Sequence, residues 1–315
     1  MNQAIITGAT GFIGSVVVSE LIKNNIKVLA LGRKNLDEVS SYKKQLLKGA
    51  TYLKIDMSEI NLLPEKISAV GWVMTDSCVF YNLAWGGHGK LSDLNIEAQL
   101  KNVSWSASAM RVSKELKCER FIHIGTMEEA FTSKYLNLDY HNNNEYNRHV
   151  IYSVAKIISK NYLKLLSKKL NISLLFATNS HVMGPGDDKD SFLQVTLQKL
   201  INGEELLFSE GNQIFDCISV DDLAQAYFEI GLKGLHGRDY WVGSGKPRKL
   251  KDYVEIMYSL YPSGKEMQFG KFSYNDISLT EEDFSINLLT QDTGFVPIKS
   301  YEQTVKELYN WLIKV

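Results

Sequence analysis

Short, continuous apolar runs alternate along this chain with longer stretches in which apolar residues recur every three or four positions. The first run, residues 4–6, predicts a buried strand, and residues 12–23 have the spacing of an amphipathic helix. Gly8, Gly11 and Gly14 fall where these stretches meet, and glycine permits a sharp turn and a close approach of the backbone. The chain therefore begins with a predicted strand, a tight turn and a helix.

The same alternation continues through the first half of the chain. Further strands are predicted at residues 27–31, 52–55, 79–83 and 120–124, and helices at residues 95–116, from 152 to about 170, and 302–315. This order is typical of an α/β fold with a doubly wound parallel sheet of the Rossmann type. We divide the chain into a dinucleotide-binding domain at residues 1–177 and a smaller α/β substrate lobe at residues 178–315, with some segments returning to the core.

Composition excludes several classes of function. The 315 residues are 44% hydrophobic and 23% charged, which provides enough apolar material for a large core. With 35 basic and 36 acidic residues, the formal net charge of -1 gives no electrostatic footprint for nucleic acid or an anionic membrane. We therefore expect a small-molecule partner, and the sequence indicates no metal site.

The cysteines and the N-terminal sequence indicate the cellular compartment in which the protein is expected. Cys78, Cys118 and Cys217 show no paired spacing and lie beside apolar residues, which predicts buried thiols in a reducing environment. No apolar run approaches the roughly 18 residues of a membrane helix, and the first strand begins almost at Met1. We expect a cytoplasmic protein.

The glycine-rich turn predicts a dinucleotide site, because the free amides and the dipole of the following helix favour a phosphate. In such sites an acidic residue about 20 positions further on accepts hydrogen bonds from the adenosine ribose. Here the second strand ends in Gly32-Arg33-Lys34 instead. We expect Arg33, helped by Lys34, to pair with a 2′-phosphate, which favours NADP(H) over NAD(H). The alternative is a solvated basic loop.

The clearest chemistry belongs to Tyr152 and Lys156. Their spacing of four puts the phenol and the ammonium on one face of a helix, one turn apart. An isolated tyrosine has a pKa of about 10, and a nearby cation stabilises phenolate, so we expect Tyr152 to transfer a proton. Thr126, at the end of the fifth strand, is a candidate to hold a carbonyl or alkoxide oxygen beside it. The alternative is that its hydroxyl satisfies the backbone.

Three loops carry further candidates. The fourth strand is followed by residues 84–89 (AWGGHG), whose small residues suit the rim of a parallel sheet where ligands lie. His88 in this loop is a candidate for substrate contact, the alternative being a solvated histidine. The polar segment 137–148 is a candidate lid. Asp56 and Met57, after the third strand, form a short turn that would face the adenine.

Taken together, these motifs resemble the extended short-chain dehydrogenase/reductase family. The matching elements are the Gly8-x-x-Gly11-x-x-Gly14 turn, Thr126, Tyr152-x-x-x-Lys156, His181-Val182-Met183-Gly184-Pro185-Gly186 and Val220-Asp221-Asp222-Leu223-Ala224. They follow one another in the family's order and cover nearly the whole chain. Within that family they resemble the branch of nucleotide-sugar epimerases, dehydratases and reductases.

The resemblance implies a role for each matching residue. The pyrophosphate of the coenzyme would lie against Gly8, Thr10, Gly11, Phe12, Ile13 and Gly14, and its adenosine and ribose would be lined by Arg33, Asp56, Met57, Leu83 and Ala84, with Asn102 supporting the site. Thr126 would orient the sugar oxygen, Tyr152 would transfer the proton, and Lys156 would bind the nicotinamide ribose and lower the pKa of the tyrosine. The helices that start near Asn95 and Val150 resemble those that form a homodimeric four-helix bundle.

Three positions depart from the family pattern. Where this chain has Thr126-Met127-Glu128, the family's dehydratases have a sequence similar to Thr-Asp-Glu. Because methionine cannot protonate a leaving hydroxyl, we do not expect dehydration. Glu128 is a candidate for sugar contact, or a strand-end carboxylate in water. Family epimerases often have an arginine that clamps the substrate diphosphate where Phe215 stands. His181, often asparagine in the family, is either a replacement donor to the substrate or a structural histidine.

The resemblance, with these departures, favours an NADPH-dependent reductase of a keto group, at C4, of a nucleotide-activated deoxysugar in cell-surface polysaccharide biosynthesis. The alternative is an NAD-dependent nucleotide-sugar 4-epimerase, which would retain its coenzyme. A third hypothesis, a coenzyme-sensing regulatory protein without turnover, is disfavoured by the intact set of Thr126, Tyr152 and Lys156. We expect Asp221 and Asp222 to cap the helix at residues 223–230 and not to take part in chemistry.

Overall fold

The computed structural model describes residues 1–87, 95–135, 150–187, 191–273 and 278–314. His88 and the candidate lid at residues 137–148 lie outside the described residues. The strands are β1 Gln3–Thr7, β2 Lys27–Gly32, β3 Thr51–Lys54, β4 Cys78–Asn82, β5 Arg120–Thr126, β6 Ser173–Asn179, β7 His181–Met183, β8 Leu206–Leu207, β9 Ile214–Phe215, β10 Cys217–Ser219, β11 Asp239–Val242, β12 Arg248–Lys249 and β13 Met267–Gln268. The helices are α1 Phe12–Lys23, α2 Ser41–Leu46, α3 Leu63–Lys66, α4 Ile96–Glu115, α5 Glu128–Tyr135, α6 Val150–Leu170, α7 Phe192–Asn202, α8 Val220–Lys233, α9 Leu250–Leu260, α10 Asn287–Thr293 and α11 Tyr301–Leu312.

Seven strands form one sheet in the order β11-β6-β5-β4-β1-β2-β3, and every neighbouring pair is parallel. β1 has β2 and β3 on one side and β4, β5, β6 and β11 on the other. The chain therefore changes direction across the sheet between β1 and β4, where ligands bind in doubly wound folds. The predicted α/β fold of the Rossmann type is confirmed, including the five strands predicted in the first half of the chain.

Helices cover both faces of this sheet. α1 packs with α8 on one face, and α4 packs with α6 on the other. Val17 and Leu223 are fully buried in the first of these layers, and Met110 and Leu163 in the second. Because helices cover both faces, the central strands are mostly apolar, and all five residues of β1 are buried. This double burial explains why short apolar runs predicted the strands well.

The chain beyond β6 forms a second, smaller core, in which α7, α9 and α11 bury Leu197, Met257 and Leu308. The main sheet takes its edge strand β11 from this part of the chain, so the C-terminal region is not a separate unit. The predicted division after residue 177 falls inside β6, which spans Ser173–Asn179.

Two further expectations can be compared with the structure. Cys78, Cys118 and Cys217 are buried free thiols, in agreement with their apolar surroundings in the sequence. Among the helices built from the described residues, none is both long enough and apolar enough to cross a membrane.

Gly231 in α8 is expected not to tolerate alanine. A Cβ there would collide with the hydroxyl of Tyr81 in β4, which donates to the Tyr227 carbonyl oxygen at 3.1 Å. Alanine is normally better than glycine in a helix interior by about 1 kcal/mol, but overpacking a core costs about 1–3 kcal/mol. Gly231→Ala should therefore lower the thermal midpoint measured by calorimetry. Adding Tyr81→Phe should recover part of the loss, and an unchanged midpoint in the single variant would contradict this packing.

Candidate active site

The turn between β1 and α1 is closed by backbone contacts that leave no room for side chains. Gly8 has a φ of 71°, in the left-handed region, and a Cβ there would lie 3.0 Å from the Ala84 nitrogen. A Cβ on Gly14 would collide with the Gly8 carbonyl oxygen. The N-cap of α1 is Gly11, so no capping side chain bonds the first amides of the helix. These amides, with the helix dipole, fit a pyrophosphate.

The end of β2, where an adenosine ribose would lie, has no carboxylate at residue 32. Gly32 is buried, and Arg33 follows it as an exposed residue. Asp56 and Met57, just after the neighbouring strand β3, are half-buried. Hydrogen bonds from the amide and hydroxyl of Ser58 lower the pKa of Asp56, and the charge of Arg33 lowers it further. The structure therefore places Arg33 and Asp56 near each other at the ends of the neighbouring strands β2 and β3.

The loop after β4 is held against the glycine turn by two polar side chains. The Thr7 hydroxyl accepts a hydrogen bond from the Ala84 amide at 3.0 Å. Asn102, buried in α4, accepts from the Gly86 amide at 3.0 Å and donates to the Gly86 carbonyl oxygen at 2.9 Å. Leu83 lies half-buried in the same loop. Asn102 thus supports the candidate coenzyme site by fixing the shape of this loop.

Tyr152 and Thr126 meet at the carboxyl end of β5, where their side chains are hydrogen bonded to each other. Burial raises the pKa of Tyr152 above its ordinary value, and the Glu129 and Glu128 carboxylates raise it further, against the lowering effect of the Thr126 hydrogen bond. The sequence-based expectation of a lowered pKa is therefore wrong for the described structure. Tyr152 is a protonated phenol at neutral pH, a state that suits a proton donor.

Lys156 lies one helical turn from Tyr152, and its side chain is buried. Nζ donates to the Ile124 carbonyl oxygen at 2.7 Å and lies 4.0 Å from the centre of the Trp85 ring. The Trp85 indole stands edge-on to Tyr152, with ring centres 6.2 Å apart, and donates to Gln99 at 2.8 Å. An aromatic face stabilises a desolvated cation. Sequence reasoning missed Trp85 as a site residue, although its place in the glycine-rich loop after β4 was a signal.

A buried ion pair behind Thr126 was also missed. Glu129 in α5 accepts a hydrogen bond from the Thr126 amide at 2.9 Å and lies 3.0 Å from the Lys160 ammonium. Lys160 also lies 2.6 Å from Asp239 and donates to Thr178 at 3.3 Å. Burial lowers the pKa of Lys160, but the two carboxylates outweigh this and raise it, so the lysine stays charged. Its spacing of four from Lys156 was the available signal.

His123 in β5 is a further buried polar group that the sequence did not indicate. Nδ2 of Asn82 donates to Nδ1 of His123 at 3.0 Å, so the neutral ring carries its proton on Nε2, which lies 3.5 Å from the Ser159 hydroxyl. Burial lowers the pKa of His123 well below its ordinary value, and the Lys156 and Lys160 cations lower it further. This histidine is therefore neutral and serves to join β4, β5 and α6.

The residues that follow Thr126 have different surroundings. Met127 is buried in an apolar cluster with Phe131 and Phe284, which leaves no acid at the position where family dehydratases have one. Glu128 is only 9% exposed, and its amide lies 3.4 Å from the Thr126 hydroxyl, to which it donates. Of the two expectations for Glu128, the strand-end carboxylate in water is therefore wrong.

His181 in β7 lies against Phe215 in β9, with ring centres 5.3 Å apart. Burial lowers the pKa of His181 to about 4, so it is neutral near pH 7 and does not supply the charge of an arginine. Arg248 in β12 is the direct antiparallel partner of Phe215. Its guanidinium lies 5.3 Å from the Tyr253 ring centre and 3.8 Å from Glu302. Because opposite residues of such a pair share a face, a cation lies beside Phe215.

The expectation that Asp221 and Asp222 cap α8 is wrong. The N-cap is Ser219, whose hydroxyl accepts from the Asp222 amide at 3.0 Å. The Asp222 carboxylate accepts from the amides of Ile298 and Lys299 at 3.2 and 2.9 Å, and Asp221 lies 2.6 Å from the Lys299 ammonium. Both aspartates therefore attach the segment before α11 to the start of α8.

Comparison with known proteins identifies the family: the model of the NAD dependent epimerase/dehydratase family matches residues 4–243. The chain belongs to this family. The match includes the glycine turn, the Tyr152 and Lys156 pair and β11, and it confirms the resemblance found in the sequence. The family is described as one of NAD-dependent epimerases and dehydratases.

Three relatives show how far the similarity extends. CDP-abequose synthase of Salmonella muenchen is 24% identical over 98% of this chain and 97% of that protein. The structure of UDP-glucose 4-epimerase from Thermotoga maritima with UDP-glucose is 18% identical, covers 99% of both chains and has a TM-score of 0.78. The structure of UDP-glucuronic acid 4-epimerase from Bacillus cereus with UDP-glucuronic acid and NAD is 18% identical, covers 99% of both chains and has a TM-score of 0.77. At these identities the two solved structures establish a shared fold.

Proposed function

We propose that this protein is an NADPH-dependent reductase of a keto group, at C4, of a nucleotide-activated deoxysugar in cell-surface polysaccharide biosynthesis. The observation that carries the proposal is the Tyr152 hydroxyl, which is bonded to Thr126 and kept protonated by burial and by the Glu129 and Glu128 carboxylates. Reducing a carbonyl requires a proton donor at the carbonyl oxygen, and Tyr152 is in the correct state to be that donor. Thr126 would hold the same oxygen.

A nicotinamide coenzyme fits the residues beside this pair. The glycine turn, whose backbone contacts exclude side chains, would bind the pyrophosphate through the first amides of α1. Lys156 would bind the nicotinamide ribose next to Tyr152. When bound and reduced, the coenzyme supplies the hydride that the carbonyl carbon needs. The absence of a carboxylate at Gly32 and the exposed Arg33 support NADPH over NADH.

A nucleotide sugar carries two phosphates that need a cationic partner. The relatives bear the names of enzymes of CDP-linked, UDP-linked and dTDP-linked sugars. We propose that Arg248 binds the diphosphate in this chain, since it lies directly across from Phe215 and its contact with Glu302 is loose. His181 would add a neutral donor, because its Nε2 is buried and has no hydrogen-bond partner among the described residues.

A 4-epimerase is the second candidate, because the structures of two 4-epimerases share this fold over their whole length. An epimerase must first take a proton from a sugar hydroxyl, and a tyrosine with a raised pKa does this poorly. An epimerase would also keep NAD bound through purification, whereas the reductase would consume added NADPH. A dehydratase is disfavoured by Met127 and its apolar surroundings.

We also propose that two copies of the chain associate through α4 and α6. α6 carries an exposed apolar stripe of Ile158, Tyr162 and Leu165 at helical spacing, and α4 beside it exposes Leu100. Leu165 is 68% exposed, which is unusual for leucine on a packed helix pair. Two such pairs packed face to face would form the homodimeric four-helix bundle that the resemblance implies.

Tyr152→Phe should reduce the rate of NADPH oxidation with 4-keto nucleotide sugars by about 100-fold to 10,000-fold, because only the proton donor is removed. The loss of absorbance of the reduced nicotinamide measures this, with Tyr258→Phe in α9 as a matched control.

Since the raised pKa keeps Tyr152 protonated, kcat/KM of the wild type should not fall between neutral pH and about 9, below the ordinary tyrosine pKa of about 10. The reductase proposal would be contradicted if no 4-keto sugar caused NADPH consumption, or if Tyr152→Phe kept full activity.

Arg248→Gln should raise KM for the nucleotide sugar by roughly 10-fold to 100-fold and change kcat little, because a charge-assisted bond is worth about 1.5–3 kcal/mol. The Kd of NADPH should stay the same. Arg238→Gln is the control, since Arg238 lies after α8 and pairs with Asp292 at 3.1 Å. A wild-type KM in Arg248→Gln would assign the diphosphate to other residues.

Leu165→Glu should convert the dimer to a monomer, because the substitution buries charge in an apolar contact. Light scattering coupled to size exclusion at micromolar concentration measures the mass. Leu232→Glu is the matched control, an exposed leucine on α8. A wild-type chain that is already monomeric, or a Leu165→Glu variant that stays dimeric, would contradict this interface.

A further inference from the structure

Neighbouring side chains, and not the backbone conformation, require glycine at position 32. It is not among the glycines with positive φ, so its conformation is open to other residues. A Cβ would nevertheless lie 2.6 Å from the Tyr52 hydroxyl and 2.9 Å from Cγ2 of Thr10, distances that real Cβ atoms essentially never show. Thr10 belongs to the glycine turn and Tyr52 to β3. These two side chains therefore fill the space beyond Gly32.

Tyr52 is held in this place by its hydroxyl, which donates to the Lys34 carbonyl oxygen at 2.5 Å. Its ring is half-buried against the core layer that contains α1. Burial raises the pKa of Tyr52, and the charge of Glu38 raises it further, so the hydroxyl remains a donor at neutral pH. The bond connects β3 to the segment after β2. It therefore fixes the backbone from which Arg33 and Lys34 project.

Arg33, Lys34 and Lys54 lie around this segment, together with the acidic residues Asp37, Glu38 and Asp56. Arg33 and Lys34 are exposed, and Lys54 at the end of β3 donates to Asn35 at 2.9 Å. The Glu38 carboxylate is engaged by the Asn35 amide at 2.6 Å as part of a capping box. These cations are available to a phosphate group at the strand end.

We propose that Tyr52 selects the coenzyme: it excludes a carboxylate from position 32 and holds residues 33–34 so that the site accepts an adenosine ribose bearing a 2′-phosphate. This inference rests on the proposed use of NADPH. A carboxylate at the end of this strand accepts bonds from a 2′-hydroxyl and repels a 2′-phosphate. Because Tyr52, with Thr10 beside it, occupies this space, we expect that changing Gly32 alone does not produce a site for NADH.

A double-mutant cycle on Gly32→Asp and Tyr52→Val tests this, with the Kd of NADPH and NADH measured by nicotinamide fluorescence without any sugar. Gly32→Asp alone should weaken both coenzymes, because its Cβ displaces Tyr52. The double variant should bind NADH about tenfold more tightly than Gly32→Asp does, a coupling expected of residues in contact. Tyr52→Phe, which keeps the ring and loses the bond to Lys34, should lower the preference for NADPH by about threefold or more, since that bond is worth about a kcal/mol.

Displacement of bound NADPH by 2′,5′-ADP and by 5′-AMP isolates the contribution of the 2′-phosphate, and Tyr258→Phe should leave all four Kd values unchanged. Circular dichroism establishes that each variant is folded. An additive cycle, or an unchanged NADPH to NADH ratio in Tyr52→Phe, would overturn the inference. Because no sugar is present, intact coupling in a protein that reduces no 4-keto sugar would overturn only the proposed reaction.

Discussion

The site depends on one buried side chain, Asn82, which must satisfy its hydrogen bonds at the carboxyl end of β4 without water. Its Oδ1 accepts from Thr7 in β1 at 3.1 Å, and its Nδ2 donates to Ser106 in α4 at 3.1 Å and to His123 in β5 at 3.0 Å. A buried amide with unmet bonds would cost several times the value of each contact, so these four elements are fixed in one relative arrangement. Parallel pairing of β1, β4 and β5 provides the register for it. The coenzyme turn and the end of β5 that carries Thr126 therefore form a single rigid frame.

The sequence predicted the parts of the fold that follow from local pattern. β1, β2, β4 and β5 are largely buried and mostly apolar, so short apolar runs located them. The eight residues of α5, Glu128–Tyr135, carry too weak a period to be recognised. The spacing of Tyr152 and Lys156 gave their shared face because helix geometry is local. The contact of Arg248 with the Phe215 side of the site depends on strand pairing across the C-terminal region, for which a single sequence has no signal.

The pKa of Tyr152 is the second property that could not be predicted from the sequence. Spacing shows that an ammonium is near a phenol, but the pKa depends on how much water remains and which carboxylates are close. Glu129 is directed at Lys160 and at the Thr126 amide, so its charge also acts on Tyr152. That arrangement raises the pKa of the phenol, which the spacing of Tyr152 and Lys156 alone did not indicate.

The packing of Met127 limits which reactions this site could acquire by mutation. Its side chain is packed with Phe131 in the same helix region and with Leu279 and Phe284 from the C-terminal region. A carboxylic acid substituted there would lose its hydration and disturb all three neighbours. One substitution at position 127 would therefore not be enough to supply an acid for water elimination, because the apolar neighbours would also have to change. The packing around Met127 thus restricts which reactions a single mutation could add to this site.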